Sequence, residues 1–145
     1  MYETVKMLHS YWAYLALLMI VIASLNALFK YFGKKEFHPI DFRISLFTLI
    51  VMHIQLLIGI VLFFAADYVS LISEMGMKNV MGNDLLRSNI VEHPLMMIIA
   101  IVLITVGYSK HKKKLTSIPK FKMLAIFYTL ALISVLVKIP WATWF

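Results

Sequence analysis

The chain has 145 residues, of which 62% are hydrophobic and 14% are charged, and its formal net charge is +7. Ordinary soluble domains carry roughly 25% charged residues, so this composition excludes a disordered chain and argues against a soluble globular domain. The absence of cysteine excludes disulfides, iron–sulfur clusters and thiolate metal sites. The length suffices for about four membrane-spanning helices.

Four long apolar segments follow one another along the chain, at residues 8–32, 44–66, 90–109 and 121–139. Each is long enough to cross a hydrocarbon core about 30 Å thick. Backbone groups in lipid must be paired within their own segment, so each is expected to be a helix. The sequence therefore predicts an all-α membrane protein, a single four-helix bundle over residues 1–145.

Two of the connections carry most of the positive charge and predict the orientation of the bundle. The basic residues around the first connection are Lys30, Lys34, Lys35 and Arg43, and those around the third are Lys110, Lys112, Lys113, Lys114, Lys120 and Lys122. The positive-inside rule places both connections in the cytoplasm and both termini on the extracytoplasmic side. We expect a multi-pass protein of the bacterial inner membrane whose partner is the lipid bilayer, and no nucleic acid.

The long connection between the second and third segments lies on the outer side in this topology. Within it, Tyr68, Leu71, Ile72 and Met75 have the i, i+3, i+4, i+7 spacing of one helix face. This pattern predicts a short amphipathic helix on the outer membrane surface.

Histidines are the chemically most versatile residues in the predicted spans. His53 is near the middle of the second span, and His9 and His93 open the first and third spans at similar depth. Ionisable residues inside a membrane are costly and are usually functional. Two interpretations stay open for His53, a hydrogen bond to a neighbouring helix, for example to Thr105 or Ser134, and a role as a metal ligand.

Small residues share a helix face with His9 and His93, which favours two different interpretations. Ala16, Ala23 and Ala27 follow His9, and Ala100 and Gly107 follow His93, at helical spacing, and His111 lies on the same face as His93. These small residues indicate either close helix packing or a pocket for a haem bound by histidines. His111, within KHKKK, is interpreted as a solvated surface residue, and His38 as a loop residue.

Charged residues near His93 are candidates for the surroundings of such a haem. Arg87 and Lys138 are candidate partners of the propionates. The position of Lys138 is equally explained by snorkelling of its side chain toward the interface, and that of Arg87 by a salt bridge to Asp84 or Glu92. Glu92 is a candidate acceptor for the N–H of the His93 imidazole, on the nitrogen that does not bind the metal. The ten methionines keep copper as a minor alternative to haem.

Several segments resemble a family of small bacterial four-helix membrane proteins described as cytochrome b-like. They are LHSYWAYL, HIQLLIGIVLFF, VEHPLMMIIAIVLITVG and KIPW, and the resemblance covers nearly the whole chain. There is a looser similarity to one half of haem A synthase, whose second half and histidine pattern this chain lacks. The resemblance implies haem b, one or two, bound by some of His9, His53 and His93.

The functional prediction is a b-type haem protein that transfers electrons within the membrane, with quinol or another redox protein as partner. No nucleophile triad or phosphate-binding loop is recognisable, so an electron carrier is favoured over a stand-alone enzyme. The alternatives are a non-haem accessory or scaffold subunit of a larger membrane complex and a haem-handling protein. Small residues on the first helix also permit a homo-oligomer.

Overall fold

The computed structural model describes residues 1–141, which form helices and short connections with no strand among them. The long helices are α1 (Tyr2–Phe32), α2 (Pro39–Ala65), α6 (His93–Lys113) and α7 (Ser117–Lys138). Between α2 and α6 lie three short helices, α3 (Tyr68–Met75), α4 (Met77–Gly82) and α5 (Asp84–Arg87), followed by a π-helical turn (Ser88–Glu92). Trp144, which its place after the fourth apolar segment predicts to be an aromatic anchor at the outer membrane interface, lies outside the described residues.

The prediction of an all-helical chain with four long apolar helices is confirmed within residues 1–141. The helices that are long and apolar enough to cross a membrane are Tyr2–Phe32, Pro39–Ala65, Asp84–Lys113 and Ser117–Lys138. Helix α2 begins five residues before the predicted span. It does so because Pro39 suits the first helical turn and His38 and Asp41 form a reciprocal capping box there.

The long helices surround a core of interdigitated side chains. Helix α1 packs against α2 and α7, and α6 packs against α7 and, over a smaller surface, α2. Ile20, Ile104 and Tyr128 are fully buried at the centre. The small residues that share a face with His9 and His93 point into this core and are buried, namely Ala16, Ala23, Ala27, Ala100 and Gly107.

Gly107 shows why small residues occupy this face. A Cβ atom added there would clash with the Cβ atom of Phe127 on α7, so only glycine permits the present separation of α6 and α7. In the middle of the bundle, the small residues therefore serve close helix packing.

The two basic connections meet at one end of the bundle, here called the basic end (residues 33–38 and 114–117). The Phe37 amide donates to Ser117 Oγ over 2.8 Å, and the rings of Phe37 and Phe121 lie 5.1 Å apart. The start of α1 lies at the opposite end, close to α3. There, desolvation and the neighbouring Tyr2 phenol raise the pKa of Tyr68 above its usual value.

A buried carboxylate organises the basic end. The Asp41 side chain has no exposed surface, and its Oδ1 accepts hydrogen bonds from Lys30 Nζ at 2.6 Å and from Asn26 Nδ2 at 2.9 Å. Its Oδ2 accepts from the His38 amide at 2.8 Å. The carboxylate thus joins α1 to the first turn of α2, and its charge is both paired and hydrogen-bonded.

His111 is not the solvated surface residue that its lysine-rich surroundings predict. Its side chain is fully buried, with its ring 5.7 Å from that of Phe37 and 6.0 Å from that of Phe42. Its Nδ1 donates to the Tyr108 carbonyl over 2.5 Å. Because α6 continues to Lys113, position 111 falls on the inward face with Gly107 while the adjacent lysines point outward.

Candidate cofactor site

The structure brings His9 and His93 together at the end of the bundle opposite the basic end, here called the histidine end. Their ring centroids are 6.3 Å apart and their planes are nearly perpendicular, at 88°. They lie on α1 and α6, and each of these helices packs mainly against α7 and α2. The two helices are therefore diagonal to each other in the bundle. No other pair of histidines among residues 1–141 has a ring contact in this structure.

His93 is held in one orientation by the end of α7. Its Nδ1 lies 2.7 Å from the backbone carbonyl oxygen of Lys138, which has no helical partner because α7 ends there. Since a carbonyl only accepts, the proton is on Nδ1 and the neutral ring keeps its lone pair on Nε2. The acceptor is this carbonyl, whereas the sequence suggested the Glu92 carboxylate.

The ring of His9 lies against α2, where Gly59 leaves room for it. A Cβ atom added at Gly59 would approach His9 Cε1 to 3.2 Å. His9 Nδ1 is buried and has no hydrogen-bond partner among residues 1–141. Buried polar atoms are nearly always paired, so this nitrogen indicates a partner outside residues 1–141.

Two reciprocal hydrogen bonds hold the backbone of α1 beside α2 at this level. Gln55 Nε2 donates to the His9 carbonyl over 2.9 Å, and Trp12 Nε1 donates to the Val51 carbonyl over 2.9 Å. Sequence reasoning assigned no role to Gln55 or Gly59, and it gave Trp12 only as an anchor at the outer membrane interface. The available signal was the i, i+4 spacing of Gln55 and Gly59, which places both on one face of α2.

A cluster of charges borders the histidine pair. Glu92 lies 3.1 Å from Lys138 Nζ and 3.4 Å from Arg87 Nε. Arg87 also pairs with Asp84 at 3.0 Å and donates to the Met81 carbonyl at 2.8 Å. Arg87 therefore makes both of the salt bridges that were expected from the sequence, to Asp84 and to Glu92. Lys138 is paired with Glu92 as well.

His53 is not part of this pair. It precedes Gly59 by six residues, or about 9 Å along α2. Its Nδ1 lies 2.7 Å from the Leu49 carbonyl, and its Nε2 lies 3.4 Å from Thr105 Oγ1 on α6. Thr105, named from sequence as a neighbour of His53, is thus beside it, at a long hydrogen-bond distance.

The histidine end offers a ligand two imidazoles and a border of charged residues. Among residues 1–141, no three histidine, aspartate or glutamate side chains cluster as metal ligands. The chemistry available is therefore ligation by two histidines on diagonal helices, with further ligands supplied by whatever binds. Comparison with protein-family models, with curated proteins and with solved structures gives no match for this chain.

Proposed function

We propose that this chain is a membrane-embedded b-type haem protein whose iron is bound by His9 and His93. The observation that carries the proposal is the 6.3 Å separation of the two ring centroids. A metal-bound imidazole nitrogen lies about 2 Å from the metal, and the nitrogen is about 1 Å from its ring centroid. Two imidazoles on opposite sides of one metal ion therefore have centroids about 6 Å apart, close to the separation found here.

The surroundings of the two rings suit haem ligation. The Lys138 carbonyl fixes the tautomer of His93 so that Nε2 carries the lone pair, the usual arrangement for a ligating histidine. Gly59 provides a space without a side chain beside His9, whose buried Nδ1 is unpartnered within the described residues. When bound, haem iron supplies a one-electron couple, and the chain supplies ligation, orientation and exclusion of water.

Arg87 and Lys138 are the proposed partners of the haem propionates. Both are about one-third exposed and lie around Glu92, which pairs with each of them. When haem is bound, one of these cations would pair with a propionate. The fully buried Ile20 and Ile104 fill the core deeper in the bundle, which confines the cofactor to the histidine end.

The proposed role is electron transfer between quinol, or another redox protein, and an acceptor. The excess of lysine at the basic end supports a cytoplasmic location for it in a bacterium, and in this proposal the histidine end is at the outer face of the inner membrane. In the same topology α3 lies along the outer surface as an amphipathic helix.

An optical spectrum of the detergent-purified protein, oxidised and then reduced with dithionite, tests the proposal. We expect a sharp α-band and a shifted Soret band on reduction, typical of low-spin iron with two histidine ligands. A protein that stays colourless after expression with added haem would contradict the proposal. That outcome would favour an accessory or scaffold subunit, in which the histidines only join helices.

Substitution of Gly59 by leucine is expected to lower the haem content of the purified protein several-fold. The new side chain would occupy the space of the His9 ring, because even a Cβ atom there comes within 3.2 Å of Cε1. Haem-to-protein ratios of the two purified forms provide the measurement. Gly82→Leu is the matched control, since nothing lies within 4 Å of a Cβ atom there. Equal haem content in Gly59→Leu and wild type would argue against His9 as a ligand.

A further inference from the structure

We propose that His53 and Thr105 mark a binding site for a lipid-soluble hydroquinone at the seam between α2 and α6. His53 Nε2 accepts a hydrogen bond from a ring hydroxyl of this ligand. The site is distinct from the His9–His93 pair. The inference rests on the proposed function in one respect, that the hydroquinone is the electron donor which such a haem protein needs.

The tautomer of His53 follows from its backbone contact. Nδ1 lies 2.7 Å from the Leu49 carbonyl oxygen, which only accepts hydrogen bonds, so Nδ1 carries the ring proton. The lone pair of the neutral imidazole is then on Nε2, which faces α6. His53 therefore presents an acceptor at the seam.

Thr105 does not satisfy this acceptor. Its hydroxyl has a single proton and lies 2.7 Å from the Ile101 carbonyl but 3.4 Å from His53 Nε2. The shorter bond takes the proton, and the longer distance exceeds the usual range for a hydroxyl donor. The hydroxyl oxygen of Thr105 keeps a lone pair beside the imidazole, so the two side chains together present acceptors and no donor.

The depth of the pair identifies the kind of molecule that can supply the donor. His53 is 14 residues after Pro39 and 12 before Ala65, or about 21 Å and 18 Å from the two ends of α2. Polar headgroups of phospholipids lie outside the hydrocarbon core, far from this level. A small molecule that brings a donor to this level from the bilayer is therefore one that is otherwise apolar.

The seam is accessible to such a molecule from lipid. The side chain of Thr105 is exposed and that of His53 is half-buried, and α2 and α6 share a smaller contact surface than α6 and α7. A hydroquinone combines an apolar ring with phenolic hydroxyls, which are stronger donors than alcohols. It is thus the ligand class that matches a mid-membrane imidazole acceptor.

Nitrogen NMR of the full chain, with ¹⁵N-labelled histidine in detergent micelles, tests this site. The probe is tetramethylhydroquinone, kept reduced with dithionite, and the matched control is its dimethyl ether, which has the same ring but no donor. A medium-chain alcohol represents lipid hydroxyls. We expect the hydroquinone to shift the His53 Nε2 resonance saturably, and the ether and the alcohol to leave it in place.

Three results would overturn the proposal. These are no shift at His53 with the hydroquinone, an equal shift with the ether, and a shift with the alcohol as large as that with the hydroquinone. Loss of hydroquinone binding in His53→Leu, measured by equilibrium dialysis, is expected as well. The nitrogen signal does not depend on whether His9 and His93 hold haem, so the haem proposal and this one can fail separately.

Discussion

Replacement of His93 by alanine is expected to abolish haem binding, and replacement of His9 should do the same. Each histidine supplies one of the two proposed ligands, and the described residues offer no third metal-ligating side chain in a cluster with them. The measurement is the ratio of haem to protein after purification, determined from the pyridine haemochrome spectrum. We expect the ratio to fall to a few per cent of the wild-type value.

His38→Asn is the control for the loss of haem. His38 lies at the basic end and caps α2, and asparagine is also a favourable N-cap residue, so haem content should stay at the wild-type level. A His93→Ala protein that folds and keeps its full haem content would show that the ligands are elsewhere. Haem loss in His53→Ala together with full retention in His9→Ala would reassign the pair to His53 and His93.

Substitution of Asp41 by alanine is expected to destabilise the bundle by about 3 kcal/mol, the lower part of the range for breaking a buried ion pair. The change leaves Lys30 Nζ, Asn26 Nδ2 and the His38 amide without their common acceptor. Lys30 is 28% exposed and can turn toward water, which moderates the loss. The free energy of unfolding is measured by titration of detergent-solubilised protein with sodium dodecyl sulfate.

Asp84→Asn provides the matched comparison for Asp41. Asp84 also pairs with a basic residue, Arg87, but its side chain is 94% exposed, and exposed ion pairs contribute little. Its unfolding curve should coincide with that of the wild type. Similar, small effects of both substitutions would mean that burial of Asp41 does not determine the stability of the basic end.

The candidate site was only partly predictable. The placement of His9 and His93 at the starts of two spans predicts similar depth, since four antiparallel spans bring alternate starts to one end. Which rings meet depends on the azimuth of each helix, and this follows from packing. The Lys138 carbonyl beside His93 and the space at Gly59 beside His9 are backbone features, and the residue types do not predict them.

His111 illustrates the same limit from the opposite direction. Local composition suggested a solvated residue, whereas helical phase, which already grouped it with Ala100 and Gly107, indicated the inward face. The phase was the better guide because α6 continues through the lysines to Lys113. In a polar stretch at the end of a helix, the side chains on the outward face are exposed to solvent, and those on the inward face are buried in the core.

The amino-acid sequence alone is enough to predict the all-helical fold and its four long apolar helices, because lipid imposes length, apolar composition and internal backbone pairing on every span. It also identifies the small-residue faces of α1 and α6, since a period of 3.6 residues determines which side chains align. Only the tertiary structure decides that His9 faces His93 while His53 faces Thr105. Those contacts depend on the rotation and neighbour order of helices, which follow from side-chain packing across the whole bundle.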